Sequence, residues 1–236
     1  MGDRALSDKI LAEEEMPMAS KKSVSDAVIK RLPRYFRYLS DLLEFGINRI
    51  SSMELSKRMG ITASQIRQDL NCFGGFGQQG YGYNVESLFR EISTILGLDN
   101  KYQTVIIGAG HMGQALANYS NFEKRGYSLA GIFDNSPDVI GMKINGVTVA
   151  DIETLEAFVK THKVDIAMIC VPYGHTRSVA EKAARCGIKG LWNFSPMDLK
   201  LNYDVIIENV HLSDSLMVLG YKLNEHISGN LPGNRQ

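Results

Sequence analysis

"TVIIGAGHMGQAL", residues 104–116, decides the fold: an apolar strand runs into Gly108, Gly110 and Gly113 and then into a helix. This is the G-x-G-x-x-G spacing in its proper context. The first glycine permits a tight turn, the second lets backbone approach a pyrophosphate, and the third lets helix pack on strand. A pyrophosphate held across Gly108, Ala109, Gly110, His111, Met112 and Gly113 would rest on the helix N-terminus, where amides and dipole favour an anion. The next strand ends in "GIFD", which puts Asp134 21 residues beyond Gly113. A carboxylate there accepts hydrogen bonds from ribose hydroxyls and repels a 2′-phosphate, which favours NAD(H) over NADP(H).

Outward from this turn, strands are expected near 104–108, 128–134, 164–171, 189–193 and 205–210, and helices near 111–122, 151–162 and 175–186. Apolar strands alternating with helices imply a parallel sheet covered on both faces. A last helix, 213–227, has no strand after it.

Upstream the texture is helical. In "DAVIKRLPRYFRYLSDLLEF", residues 26–45, Val28, Leu32, Tyr35, Phe36, Leu39, Leu42 and Leu43 recur at helical spacing and Gly46 ends the run. Pro33 suits a helix start and would kink an interior. Ser51 with Glu54, and Thr62 with Gln65, both have capping-box spacing. "RMG", ending at Gly60, makes the turn between two short helices, the arrangement of a helix-turn-helix. Residues 73–83, glycines interleaved with aromatics, read as a hairpin wing, and Asn84 caps a helix over 85–97.

On a helix starting at Ala63, Ser64, Gln65, Arg67 and Gln68 occupy the first turns, from which side chains reach base edges in a major groove. Ile66 and Leu70 face the core. Phe76 and Gln78 in the wing would lie along a groove, and Lys57, Arg58, Arg34 and Lys30 would supply phosphate contacts, which position without specifying. Charge agrees. The whole chain has 26 Lys and Arg against 26 Asp and Glu, yet residues 19–90 hold 11 against 6. A local positive field suits a polyanion.

Hydrophobic content of 44% with 22% charged residues is that of an ordinary globular protein. Runs such as "VDIAMICV" are far shorter than the ~20 residues of a membrane span. Cys72, Cys170 and Cys186 form no C-x-x-C pair, which points to a reducing, cytoplasmic setting without disulfides. The five histidines have no metal-ligand spacing, and no metal is expected. A nicotinamide dehydrogenase would need a proton donor such as His175 or Tyr119. A small NAD-dependent dehydrogenase, or a CoA-ligase-like Rossmann enzyme with a helical appendage, is the competing class. The preferred reading has no catalytic residue.

"QIRQDLNCFGGFGQQGYGYNV", "VIIGAGHMGQALANY", "FDNSPDVIG" and "GIKGLWNFSP" together resemble the Rex family of redox-sensing transcriptional repressors, colinearly from about residue 24 to 223. The resemblance implies a homodimer that binds palindromic double-stranded operator DNA, responds to NADH/NAD+, and exchanges its last helix between subunits. It places Val171 and Pro172 by the nicotinamide. It makes Tyr119 a cofactor-sensing residue and Arg37 a hinge-side partner in the switch. Where many members start the last helix with aspartate, this sequence has His211, with Asp214 nearly one turn later. The expected organisation is a tail over 1–20, a winged helix-turn-helix domain over 21–97, and a Rossmann-like parallel-sheet domain over 101–210. A swapped helix over 211–228 and a tail over 229–236 complete it.

Overall fold

The computed structural model describes residues 24–74, 77–78 and 81–229. The tail over 1–20, Phe76 and residues 230–236 lie outside them. The chain divides into two compact units after Gly97.

The first unit begins with α1 (Asp26–Ile29) and α2 (Leu32–Glu44). The single helix expected over 26–45 is two, because Pro33 in the first turn of α2 has no N–H to carry the ladder across Lys30 and Arg31. After β1 (Arg49–Ile50) come α3 (Ser52–Met59) and α4 (Ala63–Asn71). The turn between them places Gly60 at φ 65°, a left-handed cap that favours glycine. The Ser51–Glu54 box is reciprocal. The Thr62–Gln65 box is only half made: Thr62 accepts from the Gln65 amide at 3.1 Å, but the Gln65 side chain turns away to Asp69.

β2 (Gly77–Gln78) and β3 (Gly82–Asn84) form the antiparallel wing, with β1 on the other side of β3. Asn84 then caps α5 (Val85–Ile95), accepting from the Ser87 amide at 2.8 Å. Tyr35, Leu39, Leu42, Leu55, Ile66, Val85 and Ile92 make this unit's own core.

The second unit is a seven-stranded sheet. Its elements are β4 (Tyr102–Ile107), α6 (His111–Ala117), β5 (Tyr127–Asp134), β6 (Lys143–Ile144), β7 (Val147–Asp151), α7 (Leu155–Thr161) and β8 (Ile166–Ile169). Then follow α8 (Tyr173–Arg185), β9 (Gly190–Asn193), β10 (Ile206–Asn209) and α9 (Leu212–Ile227). The order is β10-β9-β8-β4-β5-β7-β6, parallel throughout except for β6. The β6–β7 hairpin is an addition to the expected strands. Asn145 and Gly146 at its tip have φ 48° and 80°, the positive values of a tight hairpin turn.

Alternate residues of β4 feed the two faces: Val105 and Ile107 pack with Ala180 and Leu155, whereas Ile106 packs with Ala117 and Val149. Both faces are thus covered, as buried parallel strands require. α9 is different. None of its 16 residues is buried, although Leu216, Met217, Leu219, Tyr221 and Leu223 are all apolar.

Candidate functional site

The strand order reverses between β4 and β8, and in open α/β sheets ligands bind outside the carboxyl ends of the strands at that point. Gly108 follows β4 there, at φ 103°, and a Cβ on it would stand 2.5 Å from the Cys170 carbonyl oxygen. Gly113 is as tightly held: its Cβ would come 1.9 Å from the Gly108 oxygen. Both glycines are therefore demanded by packing of the protein on itself. Gly110 is not. It caps α6 in extended geometry, and a Cβ there would meet nothing within 4 Å. The open space in front of this amide is what close approach of a pyrophosphate requires.

Asp134, at the end of β5, grips the same turn. Its carboxylate accepts the Ala109 amide at 2.6 Å and the Ser136 amide at 2.9 Å, and Gln114 donates to the Ala109 carbonyl at 2.8 Å. These bonds fix the carboxylate's position, and each oxygen keeps a lone pair for a ribose hydroxyl. Gly108, Gly110, Met112, Asp134, Val171 and Pro172 line one cavity of about 810 Å³, within the size range of cofactor sites. Ala109 is buried behind the turn, Gly113 is buried in the helix–strand contact, and His111 faces solvent. The residues present thus fit a dinucleotide.

Sequence reasoning missed part of the lining. His175, Ser178, Val179, Lys182 and Arg185 form a stripe along α8, and Phe194 closes the far wall. The signal was the helical spacing of α8, with two cations in its last turn. Lys182 pairs with Glu153 at 2.7 Å. Burial pushes the Cys170 thiol up to about 12, so it lines the cavity as a neutral, unreactive wall.

Tyr119 is not among the residues lining this cavity. It follows α6, 47% exposed, stacks edge-on against Phe122 at 4.7 Å, and borders a separate cavity of about 250 Å³ with Asn145 and Met168. Arg37 is exposed on α2, 5.8 Å from the Tyr38 ring. His211 caps α9 and its Nε2 lies 2.9 Å from Asp198, which raises its pKa against a small opposing effect of burial. Asp214 sits in the first turn of α9.

In the first unit, Ser64, Arg67 and Gln68 are exposed on α4, and Lys57 and Arg58 on the last turn of α3. Arg67 also donates to Ser52 at 3.0 Å, tying α4 to the start of α3, and Arg34 donates to the Met59 carbonyl at 2.6 Å. Gln65 is half-buried. Gln78 lies on β2 and Phe76 outside the described residues. A cation not foreseen, Arg49, lies 5.8 Å from the exposed Tyr81 ring at the base of the wing and donates to the Tyr81 carbonyl. Among the described residues no cluster of metal-ligating side chains is found, and no helix is long and apolar enough to cross a membrane.

Residues 99–197 match the family described as CoA binding domain, and residues 23–71 the one described as putative DNA-binding protein N-terminus. The chain is 60% identical over 208 residues to the redox-sensing transcriptional repressor Rex of Thermoanaerobacter pseudethanolicus, covering 88% of this chain and 93% of the relative. It is 55% identical over 209 residues to that of Clostridium perfringens, covering 89% and 99%. Among solved structures, the Rex-family repressor RSP in complex with NAD+ and operator DNA superposes with a TM-score of 0.81 at 57% identity, covering 90% of this chain and 99% of that one. RSP in complex with NADH superposes equally well, at 56% identity over 86% and 96%. With both units matched at this identity, the chain belongs to the Rex family of redox-sensing transcriptional repressors.

Proposed function

We propose that this chain is a DNA-binding repressor that senses the NADH/NAD+ ratio, binding operator DNA in the NAD+ or nucleotide-free state and leaving it on binding NADH. The observation that carries this reading is the pairing, in one chain, of an α4 that exposes Ser64, Arg67 and Gln68 with a cavity that fits a dinucleotide, aligned over 90% of its length with RSP, itself solved with NAD+ and operator DNA. The winged helix-turn-helix domain spans 21–97, the nucleotide domain 101–210, and α9 with its flanks 211–228.

Ser64, Gln65, Arg67 and Gln68 would meet base edges, with Lys57, Arg58 and Gln78 on the backbone. The nucleotide is a ligand here and not a co-substrate. Its pyrophosphate would lie against Gly110, its adenosine ribose on Asp134, and its nicotinamide by Val171 and Pro172. NAD+ carries a cationic ring and NADH a neutral one, and a wall of Val171, Cys170 and Phe194 prefers the neutral form.

A ligand shifts a conformational equilibrium only by its differential affinity for the two states. A switch from mostly bound to mostly free DNA needs roughly 3–5 kcal/mol of such coupling. By linkage, DNA must weaken NADH binding by the same factor. The functional unit is a homodimer in which α9 is exchanged between subunits, supported by the apolar character of a helix that buries nothing within its own chain. Tyr119, Arg37, His211 and Asp214 would act in the switch only in that assembly.

Asp134→Ala tests the division of labour. NADH affinity and the NADH response should fall while operator binding without nucleotide persists. Loss of operator binding in that nucleotide-free variant would contradict independent modules.

A further inference from the structure

Asp69 is the one charged side chain with no solvent exposure among the described residues, and it lies on α4. Its two oxygens accept four bonds: from Arg31 Nε at 2.7 Å and Nη2 at 2.8 Å, from the Tyr35 hydroxyl at 3.0 Å, and from Gln65 Nε2 at 2.7 Å. That saturates the carboxylate. Arg31 sits at the joint between α1 and α2, and Tyr35 is on α2. The apolar contacts of Ile66 and Leu70 turn one face of α4 to the core, but burial is non-directional and sets the rotation only loosely. The bidentate Arg31 fork is directional and does fix it.

The fourth bond concerns recognition. Gln65 lies on the flank of α4 between buried Asp69 and exposed Ser64 and Gln68. A carboxylate only accepts, so the nitrogen of the Gln65 amide must face Asp69 and its carbonyl oxygen must face away. We propose that Asp69 is a positioning residue for DNA recognition. It sets the rotation of α4 and orients Gln65 so that its Oε1 reads an exocyclic amine, adenine N6 or cytosine N4, in the major groove. One of the two Gln65 N–H groups stays free in this pose, but placing the amide nitrogen where Oε1 stands, to meet an acceptor of guanine or thymine, would break the bond to Asp69. The inference rests on α4 being the recognition helix.

The test is selection of binding sites from a randomised duplex pool, followed by titration of the four base variants at each half-site position. Wild type should prefer adenine or cytosine over guanine or thymine roughly tenfold at one position per half-site. Gln65→Ala should flatten that preference alone. Asp69→Asn keeps size but offers one amine, which can donate to Gln65 and turn its amide over; the preference at the same position should then vanish or invert. A merely structural Asp69 would lower affinity for operator and random duplex alike with base preferences intact. That result, or unchanged preferences in Gln65→Ala, which stands even where Asp69→Asn fails to fold, overturns the proposal. Gln68→Ala separates the two levels. If it alters operator affinity while Gln65→Ala changes nothing, only this inference falls. If neither changes anything, α4 is not the recognition helix and both fall.

Discussion

Gly110→Ala separates what the fold needs from what the ligand needs. A Cβ at Gly110 meets no protein atom within 4 Å, and the residue's φ of −69° and ψ of −172° suit any L-residue. As an N-cap, alanine is worse than glycine by up to about 1 kcal/mol. Against this, removing glycine's freedom in the unfolded chain stabilises by about 0.4–1 kcal/mol. The two nearly cancel, so thermal stability without nucleotide should stay within about 0.5 kcal/mol of wild type. The added methyl stands instead where a pyrophosphate would approach the amide. Moving the phosphates off that bond forfeits a charge-assisted hydrogen bond of about 1.5–3 kcal/mol, or roughly 10- to 100-fold in NADH affinity. Gly113→Ala is the contrast: with its Cβ 1.9 Å from the Gly108 oxygen it should destabilise the nucleotide-free protein itself. Calorimetric melting without nucleotide and NADH fluorescence titration read the two effects apart. Unchanged NADH affinity in Gly110→Ala would refute the placement of the pyrophosphate. A large loss of stability without nucleotide would refute the claim that only the ligand requires this glycine.

Three further expectations follow from particular contacts. Leu216→Glu with Leu223→Glu, on one face of a helix with no buried residue, should convert the proposed dimer to monomer in sedimentation and weaken operator binding by removing the second half-site; a persistent dimer would exclude α9 from the interface. His211 should titrate above its ordinary value of 6.5 because Asp198 bonds it, with burial opposing weakly. The stabilisation from that pair is complete below 6.5 and lost as pH rises through the raised pKa; an NMR titration whose midpoint does not drop in Asp198→Asn would contradict this. At Asp69, burial pushes the carboxyl up, but bonds from Arg31, Gln65 and Tyr35 outweigh it and the net shift is downward. Its contribution is therefore present above the unfolded value of 3.8 and lost as pH falls through the lower folded value. Arg31→Ala should cost roughly 3 kcal/mol at neutral pH by denaturant unfolding, and less in acid.

How far the sequence carried varies by element, for physical reasons. The glycine turn was legible because G-x-G-x-x-G after a strand has few other uses, and the structure shows what two of those glycines avoid. The helix over 26–45 broke at Lys30 and Arg31, just ahead of the proline whose position left two outcomes open. The β6–β7 hairpin was overlooked despite its signature, Asn145-Gly146 between apolar residues, because two-residue β6 is too short for a periodicity. Gln65 could not be placed, since its side chain has two competing partners, the Ser51-like box at its own helix start and a carboxylate one turn on. The burial of Asp69 had a faint trace: it falls with Ile66 and Leu70 on one face of α4. The switch residues are legible only by resemblance, because no motif or spacing in the sequence ties Tyr119, Arg37 and His211 to one another.

Release of this chain from DNA by NADH is read out by titrating a selected palindromic duplex at fixed salt without nucleotide, with NAD+ and with NADH. Binding should be tight in the first two conditions and fall about 100-fold or more with NADH, matching the coupling such a switch needs. Equal affinity in all three conditions would contradict it, leaving two modules on one chain with no communication between them.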